Sequence, residues 1–128
     1  MKINESQENY LERILLLQRE KGYARSVDIA EALGVTKPSV SHAMKMLRQH
    51  GYILMDDENL ITLTPAGDEI AQTMVERHHS LARIFMRMGV PEKTAYEDAC
   101  KIEHDISEES FEALRRFACE YLQVECKR

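Results

Sequence analysis

Cys100, Glu103 and His104 stand at i, i+3 and i+4 in the stretch Cys100-Lys101-Ile102-Glu103-His104. On a helix that spacing puts a thiol, a carboxylate and an imidazole on one face. All three are ligand types for first-row transition metals, so the chemistry they suggest is coordination of a divalent ion. Other helical patterns offer further donors, His78 and His79 in one and Asn9 and Glu12 in another. Each residue has an ordinary alternative. A lone helical cysteine commonly packs as a small core residue, and a Glu-His pair commonly faces solvent. The joint occurrence of the three ligand types, with a histidine available from a second helix, raises a metal site above those readings.

A second group of residues suits nucleic acid. Lys37, Ser39, Ser41 and His42 occupy the early exposed positions of a helical pattern that Thr36 opens and Gly51 closes, and Lys45 and Arg48 follow. Short polar groups fit base edges, and cations fit phosphates. No Asp or Glu occurs between Ala32 and Met55, although the 128-residue chain has a formal net charge of −5. A helix that approaches phosphate must shed carboxylates. The acids crowd the second half instead, at Glu97, Asp98, Glu103, Asp105, Glu108, Glu109 and Glu112. The alternative is an ordinary solvated helical hairpin.

These groups need elements to carry them. A first helix is predicted from about Glu5 to Lys21, with Tyr10, Leu11, Ile14, Leu15 and Leu17 on its apolar face and Gly22 as its stop. Ser26 is the expected N-cap of a short helix bearing Val27, Ile29, Ala30 and Leu33, which Gly34 ends. Thr36 then caps a helix with Pro38 in its first turn and Val40, Met44 and Leu47 as its stripe. Helix, tight turn and helix form a helix-turn-helix motif. The β-prone runs Tyr52–Met55 and Leu60–Leu63 flank the polar turn Asp56-Asp57-Glu58-Asn59 and predict a hairpin, the wing of a winged helix. The acidic tip of that wing predicts weak backbone contact with DNA. Thr64-Pro65 starts a long helix to about Met88, Pro91 another to about His104, and Ser107 caps a last one with Phe111, Leu114, Phe117, Ala118 and Leu122. Leu114, Phe117 and Tyr121 are expected to form a dimer seam, with a monomer core as the alternative.

The expected fold is mainly α with a small β-hairpin: a winged helix-turn-helix DNA-binding domain over residues 1–64 and a helical dimerisation and metal-binding domain over residues 65–128. The apolar fraction of 44% supports a globular core. No apolar run approaches the roughly 18 residues of a membrane span, and the first residues lack the apolar core of a signal peptide. A cytoplasmic protein is expected, without a membrane partner. Cys100, Cys119 and Cys126 are odd in number and widely spaced, so no disulfide framework is expected. An enzyme is not expected: the chain has no Gly-rich phosphate loop and no nucleophile elbow.

The segments E-N-Y-L-E, G-Y-A-R-S-V-D-I-A-E-A-L, K-P-S-V-S, L-T-P-A-G and D-A-C-K-I-E-H occur in order from about Glu8 to His104. In these the chain resembles the manganese-transport regulator and diphtheria toxin repressor family of metal-dependent repressors, in its short form without an SH3-like domain. The likeness runs from about Glu8 to Leu114. The resemblance implies a homodimer that binds a palindromic operator when loaded with a divalent metal and controls metal homeostasis genes. It places the metal ligands at Asn9, Glu12, His78, Cys100, Glu103 and His104. It places DNA contacts at Thr36, Pro38, Ser39 and His42, to which the charge pattern adds Lys37, Lys45 and Arg48. The chain departs from both branches of the family. Manganese regulators carry Asp at position 9 and Glu at position 100, whereas iron-type members carry Met at position 9 and Cys at position 100. The iron-type ancillary site is incomplete, because two of its positions hold Ala82 and Tyr96. A thiolate weakens the oxygen preference of Mn(II), so Fe(II) is the expected ion, Mn(II) the second, and Zn(II) an occupant in vitro. The rival reading is a winged-helix regulator whose activity does not depend on metal.

Overall fold

The computed structural model describes residues 4–123. Helix α1 (Glu5–Lys21) opens on a capping box. The Asn4 side chain accepts from the Gln7 N–H, and the Gln7 side chain accepts from the Asn4 N–H. Gly22 closes α1 in the left-handed region, at φ 86°. Both ends fall where the sequence predicts them. Lys21 at the end of α1 lies 3.4 Å from the Asp28 carboxylate, which raises the pKa of its ammonium group.

Helices α2 (Ser26–Leu33) and α3 (Lys37–Gln49) flank the tight turn. Ser26 lies inside α2 and does not cap it. Arg25 is the N-cap, through a backbone carbonyl that accepts from the Asp28 and Ile29 N–H groups. Val27, expected on the apolar face, is exposed. Thr36 caps α3 as predicted, accepting from the Ser39 N–H at 3.3 Å. Strands β1 (Ile53–Met55) and β2 (Ile61–Leu63) pair antiparallel, with Ile53 opposite Leu63 and Met55 opposite Ile61. Asp56 holds the turn between them, its Oδ1 accepting from the Glu58 and Leu60 N–H groups at 2.9 Å each.

Helix α4 (Pro65–Arg87) starts at Thr64, whose hydroxyl oxygen accepts from the Gly67 N–H and donates its own proton to the Gly51 carbonyl. Gly67 has a packing reason to be glycine: a Cβ there would collide with the Tyr52 carbonyl oxygen. Helices α5 (Glu92–Ile102) and α6 (Glu108–Tyr121) complete the chain, and Ser107 caps α6 by accepting from the Ser110 N–H at 3.0 Å.

Two compact units divide the chain, Met1–Thr73 and Met74–Arg128, so the division falls inside α4. The first unit buries Leu11, Ile14, Ile29, Val40, Met44, Leu47, Ile53 and Ile61. In the second, Leu81, Ala82, Ala95, Ala99 and Phe111 form a cluster against which Phe85, Ile102, Ile106 and Leu114 pack. Leu114 is thus partly buried against this cluster. Phe117 and Tyr121 stay exposed, with their ring centroids 4.8 Å apart. Among the described residues no helix is long and apolar enough to cross a membrane.

Candidate metal centre and DNA-binding surface

Helix α5 ends one residue before Glu103. Glu103 keeps helical dihedrals, φ −58° and ψ −30°, and its N–H still bonds the Ala99 carbonyl at 3.0 Å. The chain then turns, with the Asp105 N–H reaching back to the Ile102 carbonyl, and His104 lies in that turn. The predicted helical face is corrected here: the helix carries Cys100, and the turn carries His104. Burial separates the residues further. Glu103 is wholly buried and the His104 side chain is 3% exposed, whereas Cys100 is exposed. It opens onto a shallow recess lined also by His78, Tyr96, Glu97 and Lys101.

The Glu103 carboxylate is flanked by two imidazoles. Its Oε1 lies 3.2 Å from His104 Nε2, and its Oε2 lies 3.6 Å from His78 Nδ1. The other ring nitrogen of His78, Nε2, is 3.2 Å from the Tyr96 carbonyl oxygen. A carbonyl only accepts, so Nε2 is assigned the proton, and in the neutral ring Nδ1 turns a lone pair toward a carboxylate. Two electron-rich groups so placed repel unless a proton or a cation lies between them. Metal-binding imidazoles are commonly oriented by a backbone carbonyl that accepts from the ring nitrogen not used for the ion, as the Tyr96 carbonyl does for His78. The donor set of carboxylate and imidazoles fits a divalent first-row ion.

His79 is exposed on the next position of α4, with Nδ1 3.4 Å from the Tyr96 hydroxyl. In the first unit, Glu12 and Asn9 both lie on α1, Glu12 buried at 3% exposure and Asn9 half-buried. Glu12 and Glu103 are the buried polar or charged residues among those described. Carboxylates are seldom fully buried, so both positions are chemically conspicuous. Cys119 is disulfide-bonded, where the sequence led to the expectation of no disulfide framework. Cys126 lies outside the described residues.

The residues expected to contact DNA lie on one side of α3. Thr36, Lys37, Pro38, Ser39, His42, Lys45 and Arg48 are all exposed, while Val40, Met44 and Leu47 on the opposite side of α3 are buried. The Thr36 hydroxyl donates to Ser39 Oγ at 2.8 Å, which leaves the Ser39 proton available for an outside acceptor. At the far end of α3, His50 Nδ1 lies 3.2 Å from Gln7 Nε2, so α1 and the end of the recognition helix are hydrogen-bonded.

Two structural residues escaped the sequence reading, Gln7 and Arg77, and so did the role of Tyr96. Tyr96 acts through its backbone carbonyl, which no sequence pattern reveals. Arg77 donates through Nη1 to the carbonyls of Glu103 and Ile106, at 3.3 and 3.2 Å. Its one sequence signal was its place beside His78.

The description "iron dependent repressor, N-terminal DNA binding domain" matches residues 2–58, and "iron dependent repressor, metal binding and dimerisation domain" matches residues 64–123. The HTH-type transcriptional regulator MntR of Lysinibacillus sphaericus is 38% identical over 109 residues, covering 85% of this chain and 78% of that one. The MntR of Geobacillus thermodenitrificans is 41% identical over 102 residues, covering 80% and 72%. Among solved structures, T. acidophilum IdeR is 31% identical, with a TM-score of 0.75 over 92% of this chain. This chain spans 55% of the length of the IdeR chain. The buried carboxylate with its imidazoles, the cation-lined helix and these matches together show that the chain belongs to the iron-dependent repressor family of metal-dependent, DNA-binding transcriptional regulators, and that it is a regulator rather than an enzyme.

Proposed function

We propose that the chain is a repressor that binds a palindromic operator as a homodimer when loaded with a divalent transition metal, and so controls metal homeostasis genes in the cytoplasm. The observation that carries the reading is the Glu103 carboxylate, wholly buried with one oxygen toward His104 and the other toward His78. Glu103, His78 and His104 would hold the ion, with Cys100, Glu12 and Asn9 completing the family's ligand set. A bound divalent ion supplies positive charge that offsets the buried carboxylates.

The chain's own residues divide the work. Tyr96 orients His78 through its carbonyl. Lys37, Lys45 and Arg48 neutralise phosphates, while Thr36, Pro38, Ser39 and His42 face the bases. Two such helices in a dimer fit successive major grooves when they stand roughly 34 Å apart, about one DNA turn. Metal control then amounts to a coupling free energy of about 1–3 kcal/mol between the metal and operator sites.

For the ion itself we favour Fe(II), with Mn(II) second and Zn(II) as an occupant in vitro. A cysteine at position 100 supports the softer ions. The manganese regulators among the relatives make Mn(II) the direct competitor. Operator affinity of the metal-free protein, compared with the Fe(II)-, Mn(II)- and Zn(II)-loaded forms, tests the reading. We expect a gain of roughly 5- to 150-fold on loading, reversed by a chelator. Unchanged affinity after chelation would leave a regulator that works without metal.

A further inference from the structure

The turn after α5 has a mechanical problem. The last carbonyls of a helix lack intrahelical donors, and here the residues that follow are the very ones that carry Glu103 and His104. Arg77 meets that need from α4. Its Nη1 donates to the Glu103 carbonyl at 3.3 Å and to the Ile106 carbonyl at 3.2 Å, so it spans both ends of the turn. Its guanidinium also lies over the Phe111 ring, 5.3 Å from the centroid, which fixes the plane of the donor group. Arg77 immediately precedes His78 on α4. One side chain therefore ties the helix segment that bears His78 to the turn that bears Glu103 and His104.

We propose that Arg77 is a positioning residue for the metal centre: it clamps the Glu103–Ile106 turn to α4, so that His78, Glu103 and His104 are held at a spacing one ion can share. Arg77 does not touch the ion, and it bonds backbone carbonyls rather than the carboxylate. The proposal rests on the metal reading given above. Its effect is to pre-organise donors that would otherwise have to be ordered when metal binds.

The test compares the wild-type chain with Arg77→Met and Arg77→Lys, using Co(II) alone as the probe. Arg77→Met keeps an apolar stem over Phe111 and removes both donors. Arg77→Lys keeps a cation that can reach one carbonyl. Co(II) affinity is read by calorimetry, coordination by the Co(II) visible spectrum, and fold integrity by thermal melting of the metal-free proteins. The expected result is a loss of about 10-fold in Co(II) affinity for Arg77→Met, with an altered visible spectrum, and partial recovery in Arg77→Lys. Melting of the metal-free variants should stay close to wild type. Wild-type affinity and spectrum in Arg77→Met would overturn the proposal. So would a loss of affinity that merely tracks a loss of metal-free stability in both variants, because that marks a purely structural residue. If the wild-type protein takes up no Co(II), the metal reading itself falls, and this proposal falls with it.

Discussion

Glu103 is the residue at which burial and charge conflict most sharply. A carboxylate removed from water costs several kcal/mol unless positive charge or donors compensate. Replacing it with the isosteric amide separates stability from function. Glu103→Gln should leave the metal-free protein as stable as wild type or more so, because the buried charge is gone. The same change should weaken Mn(II) binding at least as much as loss of an outer-shell partner does, about 10- to 100-fold. Calorimetric titration and a melting curve check the two halves, and an unchanged Mn(II) affinity would remove Glu103 from the ligand set. Lys37 makes a different kind of claim. It sits at the exposed N-terminal end of α3, where a cation suits phosphate. Lys37→Ala should weaken all DNA sequences about equally and lower the slope of log affinity against log salt by about one unit. Ser39 and His42 substitutions should instead change the preferred sequence, by about 1–3 kcal/mol per base pair read. Binding measured at several salt concentrations on operator and random DNA separates these outcomes.

At the scale of elements, the junction between the wing and α4 carries the clearest steric constraint. Tyr52 precedes β1, and its carbonyl accepts from the Thr64 N–H while closing against the backbone of Gly67. This explains why Thr64-Pro65-Ala66-Gly67 ends in glycine. The threonine caps, the proline costs nothing in the first turn, and the glycine leaves room for backbone to meet backbone. Gly67→Ala should destabilise the protein by about 1–3 kcal/mol through overpacking against a carbonyl that cannot swing away. Urea unfolding checks this, and a neutral result would mean that β1 and α4 shift apart freely. The helix starts at Thr36, Thr64 and Ser107 were legible because caps are local hydrogen bonds written in adjacent residues. Arg25 replaced Ser26 as the cap of α2 because a backbone carbonyl needs no particular side chain to serve.

For the molecule as a whole, charge and apolar surface are partitioned. The recognition helix is free of acids, while the second half of the chain concentrates them. The family description assigns dimerisation to residues 64–123. Within those residues, Phe117 and Tyr121 are 54% and 68% exposed, as large rings on one helix. Aromatic residues in contact are typical anchors of an interface. Phe117→Asp should therefore weaken self-association by about 2 kcal/mol, roughly 30-fold in the dimer dissociation constant, and lower operator affinity with it. Sedimentation equilibrium tests the first effect and operator titration the second. A variant that remains fully dimeric would remove Phe117 from the seam.

The sequence alone determined the order of the helices and most of their limits, the wing, the acid-free recognition face and the residue types able to bind an ion. These depend on neighbours a few positions apart, through caps, periodicity and turn chemistry. Tertiary packing decided which donors meet. It turned Leu114 inward, left Cys100 at the surface, and buried Glu103 between imidazoles that lie 25 residues apart and one residue apart from it in the chain. Those outcomes depend on where α5 stops and on what α4 places opposite the stop, and no local rule contains that information.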